Sequence, residues 1–338
     1  MEEKDRKLDH INLALNSQTG KFEQDCRFIY EPMLAGHPNG ISKPFSFLGK
    51  TMNAPLWVSS ITGGTGVARD INSNIARACR EFGLGMGLGS CRKILFSKEH
   101  WEDFDFRDVI GNEQPFWANL GIAQIEELLN DKNEQAIIDL IGELRADGLI
   151  IHVNPMQEWF QPEGDHIKNP PVETIEELMS RIEIPLIVKE VGHGMGPESL
   201  KRLLRLKLEA IEFAAFGGTN FSKLELMRDE PDKLEMFRPF TFVGQSAGQM
   251  VNSVNRVVEN NSEISCRQII VSGGIKNYLD GYFYISKSKL PAIFGMASQV
   301  LKHATGDYQT LKTFIENQVT AYRFAENFLK IDPEYDGE

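Results

Sequence analysis

Eight short apolar runs recur along the chain, at residues 55–61, 84–88, 115–120, 148–153, 184–191, 210–216, 268–272 and 290–296. They are nearly continuous rather than alternating, the pattern of parallel strands covered on both faces. Many end in Gly, Ser, Thr or Asn. Between them lie stretches with apolar residues three and four apart, at 71–82, 122–129, 174–182 and 197–206, the spacing of helices with one buried face. Strand then helix is the repeating unit, and eight units over about 250 residues is the size of a closed (β/α)8 TIM barrel. An open doubly wound sheet shares several of these signals, but eight units favour the barrel. Residues 1–54 form an N-terminal extension before the first strand. Residues 217–266 form a long insertion between strands six and seven, either a lid over the mouth or a packing or oligomer contact.

The 338 residues, 41% hydrophobic and 25% charged, are enough for one large core, and no Ser/Gly spacer divides them. A single domain is expected. The net charge of −12 argues against nucleic acid as a partner, which calls for a basic face. An anionic small molecule would have to find a local basic pocket. No apolar stretch approaches the roughly 20 residues of a membrane span, and residues 1–6 lack the apolar core of a signal peptide. A cytoplasmic protein without membrane insertion is expected. Cys26, Cys79, Cys91 and Cys266 show no C-x-x-C spacing, so reduced thiols are the default. Cys91, beside Arg92 in a glycine-rich loop, is expected to favour its thiolate.

In such a barrel the site is built at the carboxyl ends of the strands. The densest end is His152-Val153-Asn154-Pro155-Met156-Gln157-Glu158-Trp159. Alternation sends His152 and Asn154 to one face, and Pro155 stops the strand. Gln157 and Glu158 then offer an amide and a hard oxygen ligand to a polar ligand or divalent cation. Four polar groups in a row can also simply solvate a turn. The other ends carry similar groups: Thr62-Gly63-Gly64, Ser90-Cys91-Arg92, Asn119, Lys189 and Gly217-Gly218-Thr219. Lys189 is the one basic side chain projected by a strand interior, where a cation needs an anionic partner. Pairing with Glu190 is weak because adjacent strand residues face opposite ways. After strands seven and eight stand Gly273-Gly274-Ile275 and Gly295-Met296. These positions supply backbone N–H groups to phosphate in phosphate-binding barrels, though glycines there can also just turn the chain. A lysine, amides, hydroxyls and a phosphate cup suit FMN, the cation stabilising a reduced ring. Nicotinamide fits less well as the resident group, since no G-x-G-x-x-G follows a strand.

Taken in order, Arg6-Lys7-x-x-His10, Thr62-Gly63-Gly64, Gly89-Ser90-x-Arg92, Asn119-x-Gly121, His152-x-Asn154-Pro155-x-Gln157-Glu158, Lys189-Glu190-Val191-Gly192, Gly217-Gly218-Thr219 and Ser272-Gly273-Gly274-Ile275 resemble the type 2, FMN-dependent isopentenyl-diphosphate isomerases. The resemblance runs from residue 6 to about residue 303. It implies a double-bond shift between isopentenyl and dimethylallyl diphosphate with reduced FMN and Mg2+, and with NADPH as reductant. Gln157 would be catalytic and touch the substrate, and Glu158 would bind the metal. Arg6, Lys7, His10, Arg92, His152 and Asn154 would hold the diphosphate. Thr62, Gly63, Gly64, Ser90, Asn119, Lys189, Thr219, Gly273, Gly274, Ile275, Gly295 and Met296 would hold the flavin. A homo-oligomer is implied as well. Three features depart from the family: Cys91 replaces a glutamine, residues 281–285 are bulky where small residues are usual, and Met296 replaces a small residue. An FMN-dependent 2-hydroxy-acid oxidoreductase shares the barrel, the lysine and the cup, but that family carries His-Gly-Gly-Arg where this chain has Gly217-Gly218-Thr219-Asn220. A flavin-binding barrel without catalysis is the other alternative.

Overall fold

A computed structural model describes residues 6–39, 43–260, 263–335 and 337; residues 1–5, on which part of the signal-peptide argument rests, lie outside this set. Eight parallel strands close into a barrel. They are β1 (Leu56–Val58), β2 (Gly85–Gly87), β3 (Phe116–Gly121), β4 (Leu149–His152), β5 (Leu186–Lys189), β6 (Ala210–Glu212), β7 (Ile269–Ser272) and β8 (Ala292–Met296). Each pairs with its chain neighbours, and β8 closes on β1 through Phe294 opposite Leu56. All eight apolar runs are strands, each beginning and ending within its run or one residue past it.

The helices follow from local chemistry. Helix Ala68–Phe82 buries Ile71, Ile75, Ala78 and Cys79, spaced three and four apart, and ends at Gly83 in the left-handed region. Helix Ile122–Asn130 starts where the Gln124 side chain accepts from the Gly121 N–H at 3.1 Å. Helix Ala247–Glu259 opens with a reciprocal Ser246/Gln249 capping box. This last helix corrects the expected insertion. It lies inside residues 217–266, yet it packs on helices Pro197–Arg205 and Tyr278–Lys287 as an ordinary outer helix of the barrel. Its apolar stripe of Ala247, Met250, Val251 and Val254 is buried. The true addition is helices Phe221–Arg228 and Pro231–Phe237 with the turn Arg238–Phe242. It docks on helix Pro155–Phe160, with Phe160 between Phe237 and Phe240.

The barrel has two cores. One lies between strands and helices. The other fills the barrel's interior with Trp57, Trp117, Ile150, Ile187, Ala210, Ile270 and Ile293. Two indoles fit there because the facing positions lack side chains. A Cβ on Gly85 would stand 2.6 Å from the Trp57 ring, and one on Gly148 would stand 2.5 Å from the Trp117 ring. Beneath them a hairpin, Phe45–Phe47 paired with Lys50–Met52, turns through Leu48 and Gly49, both at positive φ. It inserts Phe47, Leu48 and Met52 into the same core, and the Leu48 N–H donates to Gln268 at 3.0 Å. The amino end of the barrel is thereby plugged.

The bulky residues 281–285 serve a second accessory pair. Strand Phe28–Tyr30 runs antiparallel to Leu329–Ile331, and Phe28 packs on Tyr282 and Phe283. Arg27 bonds Asp280 at 2.8 Å, and the Tyr282 hydroxyl donates to the Leu329 carbonyl at 2.9 Å. This departure from the family pattern anchors the accessory pair and does not line the main cavity at the mouth. Gly148→Ala is expected to lower the unfolding free energy by about 1–3 kcal/mol, the usual cost of overpacking, as read by denaturant titration. An unchanged midpoint would mean that both the Trp117 ring and the Pro185 backbone, each 2.5 Å from the added Cβ, have room to move.

Candidate active site

The main cavity of the site opens among the carboxyl ends of β1, β5, β6, β7 and β8 and measures about 370 Å3; hollows elsewhere are larger, but Lys189 and the glycine loops line this one. Lys189 stands on one wall. Gly217, Gly218 and Thr219 form the rim after β6; Gly273, Gly274, Ile275, Gly295 and Met296 form a cup on the far side. Gly273 and Gly274 have φ of +86° and +73°, and a Cβ on Gly273 would lie 2.1 Å from the Ala215 backbone. Only glycine can hold that loop, and it leaves the rim free of side chains. These residues converge on one cavity. Thr62, Gly63, Gly64 and Ser90 do not line the cavity. The Thr62 carbonyl accepts from Asn72 at 3.1 Å, Lys93 donates to the Gly64 carbonyl at 2.6 Å, and a Cβ on Gly63 would strike Phe104. Within this chain the three therefore build the loop after β1. The groups of that strand that do face the cavity are Ser59 and Ser60.

Lys189 is buried, and its ammonium donates to the Glu190 carbonyl at 2.7 Å. The Glu190 carboxyl turns away and accepts the N–H groups of Gly192, His193 and Gly194 at 2.6, 2.6 and 2.9 Å. Its pKa is raised by burial, against the pull of those amides. Opposite-face alternation thus leaves the Lys189 side chain on the cavity and the Glu190 side chain bracing the loop.

A polar chain joins the cavity to the β4 cluster. The Asn119 amide donates to the Ser60 hydroxyl at 2.8 Å and to the Leu88 carbonyl at 3.0 Å; its oxygen meets His152 Nδ1 at 2.7 Å. Asn119 is therefore a buried connector, reaching the cavity through Ser60. Its orientation places the ring proton on Nδ1 and leaves Nε2 as an acceptor. Burial, and then the Lys189 charge, push the His152 pKa down to about 3. The ring is neutral, so any hold it has on a diphosphate is a hydrogen bond and carries no charge.

Pro155 opens helix Pro155–Phe160, which gathers the rest. The Asn154 amide donates to Gln157 Oε1 at 3.2 Å and Glu158 Oε1 at 2.8 Å. The Asp165 N–H donates to Glu158 Oε2 at 2.8 Å, and Asp165 in turn takes Arg92 Nη1 at 2.6 Å and Gln124 at 2.9 Å. Gln157 Nε2 reaches Glu225 at 3.2 Å. Glu225 lies on the inserted helix and is buried against Arg228. Asn154, Gln157, Glu158 and Arg92 are thus one bonded group, joined through Asp165, while His152 bonds Asn119 and adjoins them along the chain. Arg6, Lys7 and His10 are not brought to it within this chain. They lie on helix Arg6–Leu13, which has no buried residue, and none lines the main cavity.

Cys91 corrects its expectation. It is fully buried, its Sγ donates to the Gly89 carbonyl at 3.5 Å, and burial pushes its thiol up to about 12. The Arg92 guanidinium points to Asp165 instead, so no cation favours a thiolate. His193 bonds the Val243 carbonyl at 2.6 Å and the Ser222 hydroxyl at 2.9 Å.

Curated relatives decide the family. The isopentenyl-diphosphate delta-isomerase of Rickettsia felis is 34% identical over 305 residues, covering 89% of this chain and 85% of the relative. That of Rickettsia prowazekii is 33% identical over 304 residues, with 89% and 86% covered. The chain belongs to the isopentenyl-diphosphate delta-isomerase family. No protein-family model matches it. Among solved structures, flavocytochrome b2 with benzoylformate matches at a TM-score of 0.60 and 14% identity, covering 90% of this chain and 76% of that one. A mandelate oxidase carrying an FMN adduct matches at 0.54 and 14%, covering 90% and 88%. At that identity they share the barrel with this isomerase-family chain. Among the described residues no helix is long and apolar enough to cross a membrane.

Ser59, Ser60, Asp165, Glu212 and Glu225 were missed from sequence. The serines fall inside what reads as one apolar run, and Asp165 and Glu225 sit in loop and insertion with no local signal. Glu212 had one: it is an acid inside an apolar run.

The depressed His152 pKa predicts a pH effect on stability. The folded value, about 3, lies below the ordinary 6.5, so between them the unfolded chain binds a proton that the folded chain does not. The contribution is complete above the ordinary value and declines as pH falls toward the folded one. His152→Asn should flatten the stability slope between about pH 6.5 and about pH 5, by at most about 1.4 kcal/mol per pH unit. Equal slopes for the two proteins would show that the folded ring protonates normally.

Proposed function

We propose that the chain interconverts isopentenyl diphosphate and dimethylallyl diphosphate by proton transfer, with reduced FMN in the main cavity and Mg2+ at Glu158. The observation that carries this reading is a single connected site. A cavity with a cation on one wall and a glycine cup on the other is bonded through Ser60 and Asn119 to His152, the strand-end residue that leads directly into Asn154 and the Gln157–Glu158 helix. Family membership supplies the reaction. The residues fit FMN, because the cup offers backbone N–H groups to a phosphate and the Ser59 Oγ and Glu212 Oε2 on the walls lack partners.

Bound reduced flavin would supply the acid and base group for the alkene. Lys189 would favour an anionic ring, and Thr219 with the glycine loops would hold the phosphate. Asn154 fixes one end of the Gln157 amide and Glu225 the other, so Gln157 is oriented to hold a proton or the substrate. Among the described residues no cluster of three His, Cys, Asp or Glu can hold a metal. A single carboxylate at Glu158 nonetheless suits Mg2+, which takes one or two carboxylates together with phosphate oxygens and water. The ion and Arg92 would neutralise the diphosphate, with Arg6, Lys7 and His10 closing over it. The same reading makes the protein a cytoplasmic homo-oligomer reduced by NADPH; exposed Leu8, Ile11 and Leu13 on the amino-terminal helix suit cover by a second copy. Nothing at the cavity favours hydroxy-acid oxidation: its Gly217–Thr219 rim offers no histidine base.

The test is anaerobic conversion of isopentenyl diphosphate with FMN, Mg2+ and NADPH, each omitted in turn. Turnover should need all three. Glu158→Gln should abolish the Mg2+-dependent rate with flavin still bound, and Gln157→Ala should lower kcat roughly a hundredfold or more without loosening flavin. Folded, flavin-loaded wild type that turns over nothing overturns the reading.

A further inference from the structure

The proposed reaction leaves unused the one carboxyl group, among the described residues, that lines the cavity. Glu212 ends β6, is 0% exposed, lines the main cavity and stands opposite Lys189 in the strand register. A carboxyl in a barrel interior is costly unless both oxygens are bonded. One is. The Ser272 hydroxyl donates to Oε1 at 3.0 Å, and the Ala214 N–H donates to that hydroxyl's oxygen at 3.0 Å. The single Ser272 proton is thereby committed to Glu212. Oε2 has no partner. Lys189 does not provide one, since its ammonium bonds the Glu190 carbonyl and forms no ion pair with Glu212.

A second orphan stands nearby. Ser59 Oγ is buried and unpartnered on the same cavity. Gly295 separates it from Ser272: a Cβ there would come within 2.7 Å of both Ser59 Oγ and Ser272 Cβ. The missing side chain leaves a strip of floor running from Glu212 past Ser272 and Gly295 to Ser59. Around the barrel, β6 lies between the strand of Lys189 and the two strands below the glycine cup. Whatever joins a ring near Lys189 to a phosphate in the cup must cross this strip. An alkyl linker would leave both orphans without partners. A chain of hydroxyl groups satisfies both, because hydroxyls donate to a carboxyl oxygen and exchange bonds with a serine.

We propose that Glu212 anchors the polyol of the cofactor, its free oxygen accepting from hydroxyl groups of the chain between the flavin ring and the phosphate. This rests on the reading that the cavity holds FMN. Glu212 is a positioning residue here, acting on the linker and not on the reacting atoms.

The test titrates flavin-free, full-length protein with two ligands, following the quenching of flavin fluorescence. One ligand is FMN. The other is the isoalloxazine carrying a 5-phosphopentyl chain, identical in ring and phosphate but without hydroxyls. Wild type should prefer FMN by roughly tenfold or more, the worth of a hydrogen bond to a charged or buried group. Glu212→Ala should lose about that factor for FMN and almost nothing for the analogue, so that the preference collapses. Glu212→Gln, which keeps the shape and secures the comparison if the alanine variant fails to fold, should show a reduced preference. Equal losses for both ligands would assign Glu212 to support of β6, and unchanged FMN affinity would remove it from the site; either overturns the proposal. Wild type that binds neither ligand overturns the flavin reading itself, a result distinct from wild type that binds FMN regardless of Glu212.

Discussion

Everything at the site is referenced to the packing of two indoles inside the barrel. Trp57 and Trp117 occupy interior volume that Gly85 and Gly148 leave open, and the hairpin bearing Phe47, Leu48 and Met52 seals the end beneath them. An apolar plug of this kind admits no polar ligand from below. It also sets the depth at which polar groups first become affordable, which is one layer higher, at Ser59, Lys189, Glu212 and Ser272. Because the interior is close-packed, Lys189, Glu212 and Ser272 are held at the ends of their strands, and Ser59, just past β1, is tied to β8 by its N–H on the Met296 carbonyl at 3.1 Å. A cavity floor made of strand ends is a rigid one.

Above that floor the electrostatics are arranged to keep charge scarce and directed. Lys189 is buried with its ammonium on a backbone carbonyl, and the nearby His152 is neutral because of burial and that same ammonium. Glu190 spends its carboxyl on three backbone N–H groups. Asp165 holds Arg92, and Glu225 holds Arg228. Among these residues cations are matched locally, so an incoming anion would have to compete for Arg92 with Asp165. That exchange makes binding of a diphosphate a replacement of one anion by another, which a divalent ion at Glu158 would assist.

How much of this is legible in the sequence depends on range. The eight strands are, because burial on both faces makes each an uninterrupted apolar run. The cup and the Lys189 side of the cavity are too, since the barrel topology converts strand ends into neighbours without knowledge of any contact. What escapes is set by partners far apart in the chain. Cys91 beside Arg92 reads as an activated thiol until the arginine is seen to leave for Asp165, 73 residues on. The bulk at residues 281–285 reads only as a departure from the family until Phe28 and Leu329 are seen to pack and bond there. Helix Ala247–Glu259 reads as insertion because the added helices before it displace it in the chain and not in space.

The strand pair Phe28–Tyr30 and Leu329–Ile331 joins residues about 300 positions apart. Every barrel strand lies between them, so the pair closes, by hydrogen bonds, a loop of chain that contains the entire barrel. During synthesis Phe28–Tyr30 emerges early and Leu329–Ile331 only after β8, which leaves the early strand an unpaired edge through the making of the whole fold. Closure of this pair therefore waits on the last segment of the chain. The Arg27–Asp280 bond needs nothing beyond β7 and its helix, but the Tyr282–Leu329 bond and the strand pair itself can form only once the chain after β8 has arrived.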